Sequence, residues 1–119
     1  MSKQTPTYDA QGQPMSVLEM VLYRVQPGVT DDDVIALSDE IHVWLKQQPG
    51  YQQRQLFMAE SGEWLDIVHW ASMAEAVTAS EQIFHQPFAA NFGDIFAPDA
   101  TALHLYQVRD YSAMTIASG

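Results

Sequence analysis

The fold is decided by the stretch DIVHWASMAEAVTASEQIFHQPF, residues 66–88. It begins inside an apolar strand, residues 64–70, and enters a helix at Ser72, which has Glu75 at capping-box spacing. Apolar or small side chains then recur at helical spacing and give the helix one buried stripe: Met73, Ala76, Val77, Ser80, Ile83 and Phe84. Pro87 breaks or bends that helix. The stretch therefore predicts a strand that runs directly into an amphipathic helix.

The sequence before this stretch predicts the same order of strand and helix. Residues 15–25, MSVLEMVLYRV, are apolar on both alternating sets, which is typical of a strand covered on both faces. Thr30 then caps a helix whose first turn holds three acids, residues 31–33. The buried stripe of that helix consists of Val34, Leu37, Ile41, Trp44 and Leu45. Pro49 and Gly50 end this first strand–helix unit.

Two further strands complete the pattern. Residues 51–60 are more polar, so we place them at a sheet edge, in a hairpin with residues 64–70. Phenylalanines at four-residue spacing indicate a short further helix: Phe88, Phe92 and Phe96. Residues 101–111 form a last strand. The order predicts an α+β fold of the ferredoxin-like βαββαβ kind, a four-stranded antiparallel sheet with helices on one face and the first and third strands in the centre.

The central strands also predict a second subunit. Both are apolar on both faces, whereas helices cover only one face of a ferredoxin-like sheet. A second copy laid face to face would bury the other side, so we expect a homodimer. Charged residues make up only 17% of the chain, which fits a surface partly covered by a partner.

Length and charge exclude several function classes. The 119 residues amount to one domain, which we place at residues 15–111, between a flexible arm, residues 1–14, and a flexible tail, residues 112–119. The net charge of -10 repels nucleic acid and anionic membranes, and no apolar run is long enough to span a bilayer. We therefore expect a cytoplasmic protein that binds neither.

The absence of cysteine removes thiolate chemistry, disulfides and cysteine metal sites. Histidine, aspartate and glutamate remain as metal ligands, but neither HxxxH nor HExxH spacing occurs. The sequence therefore predicts no metal site.

Three stretches carry a resemblance to a known family: VLEMVLYRVQPG, WLKQQPGY and residues 66–88. In the last of these, a strand ends in Trp70, a Ser-capped helix follows and His-x-Pro-Phe closes it. Over residues 15–110 the chain resembles the dimeric α+β barrel superfamily, and within it the antibiotic-biosynthesis-monooxygenase-like proteins. The resemblance implies that two ferredoxin-like units form a dimeric α+β barrel. Members of the family include cofactor-free quinone-forming oxygenases, haem-degrading enzymes and proteins with no known activity, so the fold alone does not select a function.

One branch of that family degrades haem with a tryptophan at the end of the third strand, a histidine in the second helix and an asparagine on the first strand. Trp70 and His85 take the first two positions, whereas the first strand has no asparagine and carries Glu19 as its central polar group. The resemblance thus implies haem binding through His85 as one alternative. It also implies that Trp70 points between the sheet and the helices.

Polar residues on the central strands are the first candidates for chemistry: Glu19, Asp66 and His69. Alternation along the third strand puts Asp66 on the same face as Trp70 and His69 on the other. With Trp70 turned toward the helices, Asp66 belongs to a pocket and His69 to the dimer side, while the face of Glu19 stays open. A carboxylate in an apolar pocket has a raised pKa and suits proton removal from a phenol or an activated carbon.

Each candidate also has an alternative role. Either carboxylate can be structural, bonded to Arg24, Arg54 or backbone amides. His85 can be an acid–base group in the pocket, a haem ligand or an exposed partner of Glu81, which lies four residues earlier on the helix.

Aromatic side chains divide between the core and a pocket for an aromatic ligand. We place three in the core: Trp44, Phe84 and Phe92. Three more are candidates for binding the substrate: Trp70, Phe88 and Tyr106.

The leading hypothesis is a small cofactor-independent monooxygenase that acts on a planar aromatic or polyketide-like molecule between sheet and helices. Its candidate catalytic residues are Glu19, Asp66 and His85, with no cofactor and no metal. One of these groups would deprotonate the substrate, and dioxygen would react with the resulting carbanion. The alternatives are a non-catalytic ligand-binding or stress-related dimeric barrel and a haem-binding or haem-degrading protein.

Overall fold

The computed structural model describes Thr7–Tyr8, Pro14–Met15 and residues 17–107. Its main elements are β1 (Val17–Tyr23), α1 (Asp31–Leu45), β2 (Tyr51–Met58), β3 (Trp64–Trp70), α2 (Met73–Gln82), α3 (Phe92–Ile95) and β4 (Ala102–Gln107). Thr7–Tyr8, in the predicted arm, pairs antiparallel with Pro14–Met15, where the arm meets the predicted domain. The predicted tail, residues 112–119, lies outside the described residues, so it stays a prediction.

The four main strands form one antiparallel sheet in the order β2-β3-β1-β4. The apolar strands β1 and β3 are central and the polar strand β2 is at an edge, as predicted from their side-chain patterns. The ferredoxin-like βαββαβ fold with a four-stranded antiparallel sheet is therefore confirmed. No helix in the described part of the chain is long and apolar enough to cross a membrane.

Both long helices start at the residues that the sequence indicated. Thr30 and Asp33 form a capping box, in which the Asp33 amide donates to Thr30 Oγ1 at 3.1 Å and the Thr30 amide donates to Asp33 Oδ2 at 2.9 Å. At α2 the Glu75 amide donates to Ser72 Oγ at 3.2 Å, and the Ser72 hydroxyl donates to Glu75 Oε1 at 2.9 Å. These bonds satisfy amides that have no partner within the helix, so they fix where each helix begins.

The two faces of the sheet have different surroundings. Both helices pack on one face, here called the helix face, where Trp70 and Val17 lie in one buried cluster with side chains of α1 and α2. Trp70 is fully buried there. The other face, here called the open face, carries the alternate side chains of the central strands: Leu18, Met20, Leu22, Leu65, Ile67 and His69. The open face is thus a largely apolar surface.

The segment after α2 differs from the sequence prediction. The α-helix ends at Gln82 and the 3₁₀ turn Ile83–His85 follows, so the helix is shorter than the predicted buried stripe. Phe84, which was predicted to lie in the core, lies beyond the end of α2 and is 65% exposed. The short helix expected from the phenylalanine spacing is a 3₁₀ turn, Pro87–Asn91, followed by the single turn of α3.

Candidate functional site

A cavity of about 180 Å³ lies between the helix face of the sheet, α1 and the segment that follows α2. Most of its wall is apolar: Val21, Val34, Leu37, Ile41, Leu45, Val68, Ile83, Phe92 and Phe96. The polar side chains in the wall are Glu19, Tyr23, Ser38, Arg54, Asp66 and Thr101. An apolar cleft with a few convergent polar groups is typical of a small-molecule site.

Glu19 is the buried carboxyl group of this cavity. It lies on the helix face of β1, where 8% of its surface is exposed. The indole Nε1 of Trp70 donates a hydrogen bond to Glu19 Oε1 at 3.0 Å. Burial raises the pKa of Glu19 above its ordinary value of 4.5, and the hydrogen bond from Trp70 only partly offsets this rise. The negative charge of Asp66 raises the pKa of Glu19 further, and the positive charge of Arg54 lowers it. A carboxyl group with a raised pKa is a stronger proton acceptor than an ordinary exposed carboxylate.

Asp66 also lies in the cavity wall, as predicted, but its charge is paired. Arg54 Nε donates to Asp66 Oδ1 at 2.9 Å, and Arg54 Nη2 donates to Asp66 Oδ2 at 2.6 Å. Arg54 Nη1 donates to the carbonyl oxygen of Ser38 in α1 at 3.1 Å. The side chains of Arg54 and Asp66 are only 6% and 14% exposed. This two-pronged pair matches the structural alternative for Asp66, because both carboxylate oxygens are engaged.

Strand pairing places Glu19 and Arg54 on either side of Val68. Val68 pairs with Glu19 of β1 on one side and with Arg54 of β2 on the other. Neighbouring strands lie about 4.8 Å apart, so the Cα atoms of Glu19 and Arg54 are separated by roughly 10 Å. All three side chains line the cavity, so its wall has a carboxyl group on the β1 side of Val68 and a guanidinium on the β2 side.

The cavity reaches the surface beside the edge strand β4. Phe84 and Leu103 line it although they are 65% and 44% exposed, and Thr101 is exposed as well. These three side chains therefore form the mouth.

Tyr23 is a cavity residue that the sequence reasoning did not single out. Its ring is stacked on Trp64 with the centroids 6.2 Å apart and meets the Phe96 ring edge-on at 4.7 Å. Burial raises the pKa of the Tyr23 phenol above its usual range, so the hydroxyl stays neutral. The two-residue period puts Tyr23 on the same face as Glu19, but the sequence does not determine which face that is, so it gave no signal that Tyr23 lines a cavity.

Two of the predicted aromatic residues lie next to the cavity rather than in its wall. Trp70 is fully buried behind Glu19 and meets Tyr51 edge-on at 6.1 Å. Phe88 packs against Trp44, with the ring centroids 6.2 Å apart. Trp70 therefore acts on the cavity through Glu19, and Phe88 supports the core beside it.

Two other predicted site residues lie away from Glu19. Leu105 of β4 packs against the core on the helix face. Tyr106 is the next residue along the strand, so its side chain points to the open face, where it is exposed. His85 is exposed in the turn after α2 and is not in the cavity wall. Of the six predicted site residues, the structure brings together Glu19, Asp66 and Trp70.

His69 lies on the open face, as the alternation along β3 predicted. Its Nδ1 atom is buried and has no hydrogen-bond partner among the described residues. Burial lowers the pKa of His69, which favours the neutral imidazole. Within residues 17–107, no group of three histidine, aspartate or glutamate side chains is arranged to hold a metal ion.

Several solved structures share this fold at low sequence identity. SnoaB, a cofactor-independent oxygenase from Streptomyces nogalater, is 14% identical and superposes with a TM-score of 0.68 over 81% of this chain and 95% of its own. An antibiotic biosynthesis monooxygenase is 16% identical, with a TM-score of 0.62 over 77% of this chain and 97% of its own.

A third structure shows that the fold also occurs without an assigned activity. A nipsnap family protein with unknown function from Agrobacterium tumefaciens is 14% identical, with a TM-score of 0.61 over 82% of this chain and 91% of its own. No protein-family model and no curated protein sequence matches the chain. The chain has the ferredoxin-like α+β fold of the antibiotic-biosynthesis-monooxygenase-like structures, which cofactor-independent oxygenases share with proteins of unknown function.

Proposed function

We propose that this protein is a small cofactor-independent oxygenase that acts on a planar aromatic or polyketide-like molecule in the cavity. The observation that carries the proposal is Glu19, a buried carboxyl group with a raised pKa in an apolar cavity. A base of this kind removes a proton from a weak carbon or phenolic acid more readily than an exposed carboxylate does.

The chemistry needs no electron source other than the substrate. Glu19 takes the proton of a phenolic hydroxyl group, and the resulting phenolate, whose ring carbon has carbanion character, transfers electrons to dioxygen as a new C–O bond forms at a ring C–H carbon. Protonation by Glu19 gives a hydroperoxide at that carbon. Loss of its C–H proton then breaks the O–O bond and releases water, so that the phenol and O₂ become a quinone and H₂O. The apolar wall of the cavity keeps water away from the carbanion.

Trp70 has a positioning role in this proposal. Its indole N–H holds one oxygen of Glu19, so the carboxyl group is fixed before a substrate enters. The oxygenase activity of SnoaB, which has the same fold, supports the proposal at the level of the fold.

The main alternative is non-catalytic ligand binding. The ion pair of Arg54 and Asp66 favours it, because two of the polar groups in the cavity wall are bonded to one another. Haem binding through His85 has less support, since that side chain is exposed and outside the cavity wall.

The working unit in this proposal is a homodimer. The apolar side chains of the open face would be covered by the same face of a second copy, and the buried Nδ1 of His69 would lie at that interface.

Oxygen consumption with a panel of phenols and anthrone-type compounds tests the proposed activity. Glu19→Gln should lower turnover by about 100-fold or more, as expected for loss of a general base. Trp70→Phe should lower turnover while retaining the aromatic packing. Glu81→Gln, a change at an exposed residue of α2, is the matched control and should have no effect. Unchanged turnover in Glu19→Gln would contradict the assignment, and ligand binding without oxygen consumption would favour the non-catalytic alternative.

A further inference from the structure

We infer that the cavity selects a single-ring phenol, whose hydroxyl group lies over Val68 between Glu19 and Arg54. This inference rests on the proposed role of the cavity as a ligand site. It adds a substrate class and assigns to Arg54 a direct contact with the ligand oxygen.

The first support is the donor count of Arg54. A guanidinium carries five N–H groups. Three of them are bonded, two to the carboxylate of Asp66 and one to the Ser38 carbonyl oxygen. The remaining two belong to Nη1 and Nη2 of a side chain that lines the cavity and is only 6% exposed. An oxygen atom of a ligand is a suitable acceptor for them.

The second support is the rigidity of the guanidinium. Asp66 on β3 and the Ser38 carbonyl on α1 hold it from two sides, so its orientation is fixed before a ligand binds. Donors that are already oriented stabilise a developing negative charge without reorganisation.

The third support is the position of Glu19 opposite Arg54. A phenolic hydroxyl group is both a donor and an acceptor, so it can donate its proton to the Glu19 carboxylate and accept an N–H group from Arg54. When the proton moves from the phenol oxygen to Glu19, the phenolate oxygen keeps its bond from Arg54. A hydrocarbon ring would leave both polar groups without a ligand partner.

The size of the cavity limits the ring system. An engineered cavity of about 150 Å³ with apolar walls binds benzene in another protein. The present cavity is about 180 Å³, so it encloses one ring with a small substituent. Three fused rings would have to extend through the mouth beside Phe84 and Leu103.

Calorimetric titration under argon tests the inference on the whole chain without any turnover. p-Cresol and toluene have the same ring and methyl group and differ by the hydroxyl. We expect p-cresol to bind the wild-type protein at least about tenfold more tightly than toluene, because its hydroxyl has partners of both kinds. Anthrone should bind at least about tenfold more weakly than p-cresol.

The double variant Arg54→Met, Asp66→Leu removes the guanidinium without leaving a buried charge unpaired. In this variant the preference for p-cresol over toluene should fall to about twofold or less, while toluene still binds. The matched control is Arg24→Met, because Arg24 is an exposed arginine that donates to the Ser61 carbonyl oxygen and should not affect the preference. The ratio of the two affinities isolates the hydroxyl contact from a general change in the cavity.

Equal affinities for p-cresol and toluene in the wild-type protein would overturn the inference, and so would an unchanged ratio in the double variant. Tighter binding of anthrone than of p-cresol would overturn the single-ring part of the inference.

If the double variant does not fold, p-toluidine decides the question on the wild-type chain, because its amino group donates hydrogen bonds but accepts them poorly. It should bind less tightly than p-cresol, and equal affinity would overturn the role of Arg54. Oxygen consumption does not enter this experiment, so a protein that binds p-cresol as expected but shows no turnover would contradict the oxygenase alone.

Discussion

Glu19 is a buried carboxyl group with a single hydrogen-bond donor in the described part of the chain, Trp70. Its carboxyl group is held by one hydrogen bond from Trp70 and is otherwise largely removed from water, so its charged form is less stable in the folded chain than in the unfolded one. A proton acceptor of this kind reduces the stability of the protein at neutral pH. Such a group is typical of a functional site rather than of a core.

The pH dependence of stability should report this residue. A raised pKa in the folded state means that the stability contribution of protonated Glu19 is complete below 4.5 and is lost as pH rises through the folded pKa. Glu19→Gln removes this loss and still offers an oxygen to Trp70. We therefore expect the variant to be more stable than wild type at pH 8 and to lose this advantage at pH 4, as measured by urea unfolding at both values. An equal difference at the two pH values would contradict the raised pKa.

The pair of Arg54 and Asp66 should show a different energetic signature. Asp66→Ala leaves a buried guanidinium without its carboxylate and should lower the free energy of unfolding by about 3 kcal/mol. The double variant Arg54→Met, Asp66→Leu should lie within about 1 kcal/mol of wild type, because it removes both charges together. Urea unfolding of the two variants makes the comparison. A double variant as unstable as Asp66→Ala would show that packing, and not charge pairing, accounts for the loss.

Individual residues differ in how far their positions could be predicted. The face of Asp66 followed from alternation in β3 together with the family resemblance, which implied that Trp70 points between the sheet and the helices. The face of Glu19 could not be predicted, since β1 is apolar on both sets and the pattern carries no preference. Tyr106 was assigned to the pocket from its residue type, and its face depends on the register of β4, which the sequence does not specify.

At the scale of elements, the helix starts were the most predictable features. Thr30 and Ser72 act through bonds to amides three residues away, and that spacing is visible in the sequence. The end of α2 was less predictable, because the change from α-helix to 3₁₀ turn at Ile83 leaves the apolar spacing nearly intact. Capping bonds can thus be predicted from the sequence, whereas a change from α-helix to 3₁₀ turn within a continuous apolar spacing cannot.

The turn between α1 and β2 joins two elements that both border the site. Gly50 has φ of +83°, and a Cβ atom there would come within 2.8 Å of Glu75 Cβ. Gly50→Ala should therefore lower the free energy of unfolding by more than the roughly 1 to 2 kcal/mol that a left-handed alanine costs, because it also disturbs the Ser72 cap of α2.

Gly28→Ala is the matched control for this turn. Gly28 has φ of +87°, but no atom lies within 4 Å of the added Cβ. Thermal unfolding of both variants should show the larger loss for Gly50→Ala. Equal losses would mean that the turn depends only on backbone conformation and not on its contact with α2.

At the scale of the whole molecule, the two long helices pack on the helix face, and no helix of residues 17–107 covers the open face. The side chains of its central strands are half-buried, and charged residues make up only 17% of the chain. These features fit the proposed homodimer, in which both faces of the sheet are covered.

Ile67→Lys tests that arrangement. Ile67 lies on the open face of the central strand β3, so a lysine there should convert a dimer into a monomer in sedimentation equilibrium. Ile35→Lys is the control, because Ile35 is exposed on α1. The Ile35→Lys variant should sediment with the same oligomeric mass as the wild-type protein. A wild-type protein that sediments as a monomer would contradict the proposed dimer directly.

The mouth of the cavity is framed by side chains of a turn and an edge strand, with Phe84 at its outer edge. Exposed side chains change rotamer within picoseconds to nanoseconds, whereas lids and domains need microseconds or longer. We therefore expect ligand entry to need rotation of the exposed Phe84 ring and no lid movement among the described residues. The residence time of a ligand should then depend on its contacts with Glu19 and Arg54 inside the cavity rather than on the opening of the mouth.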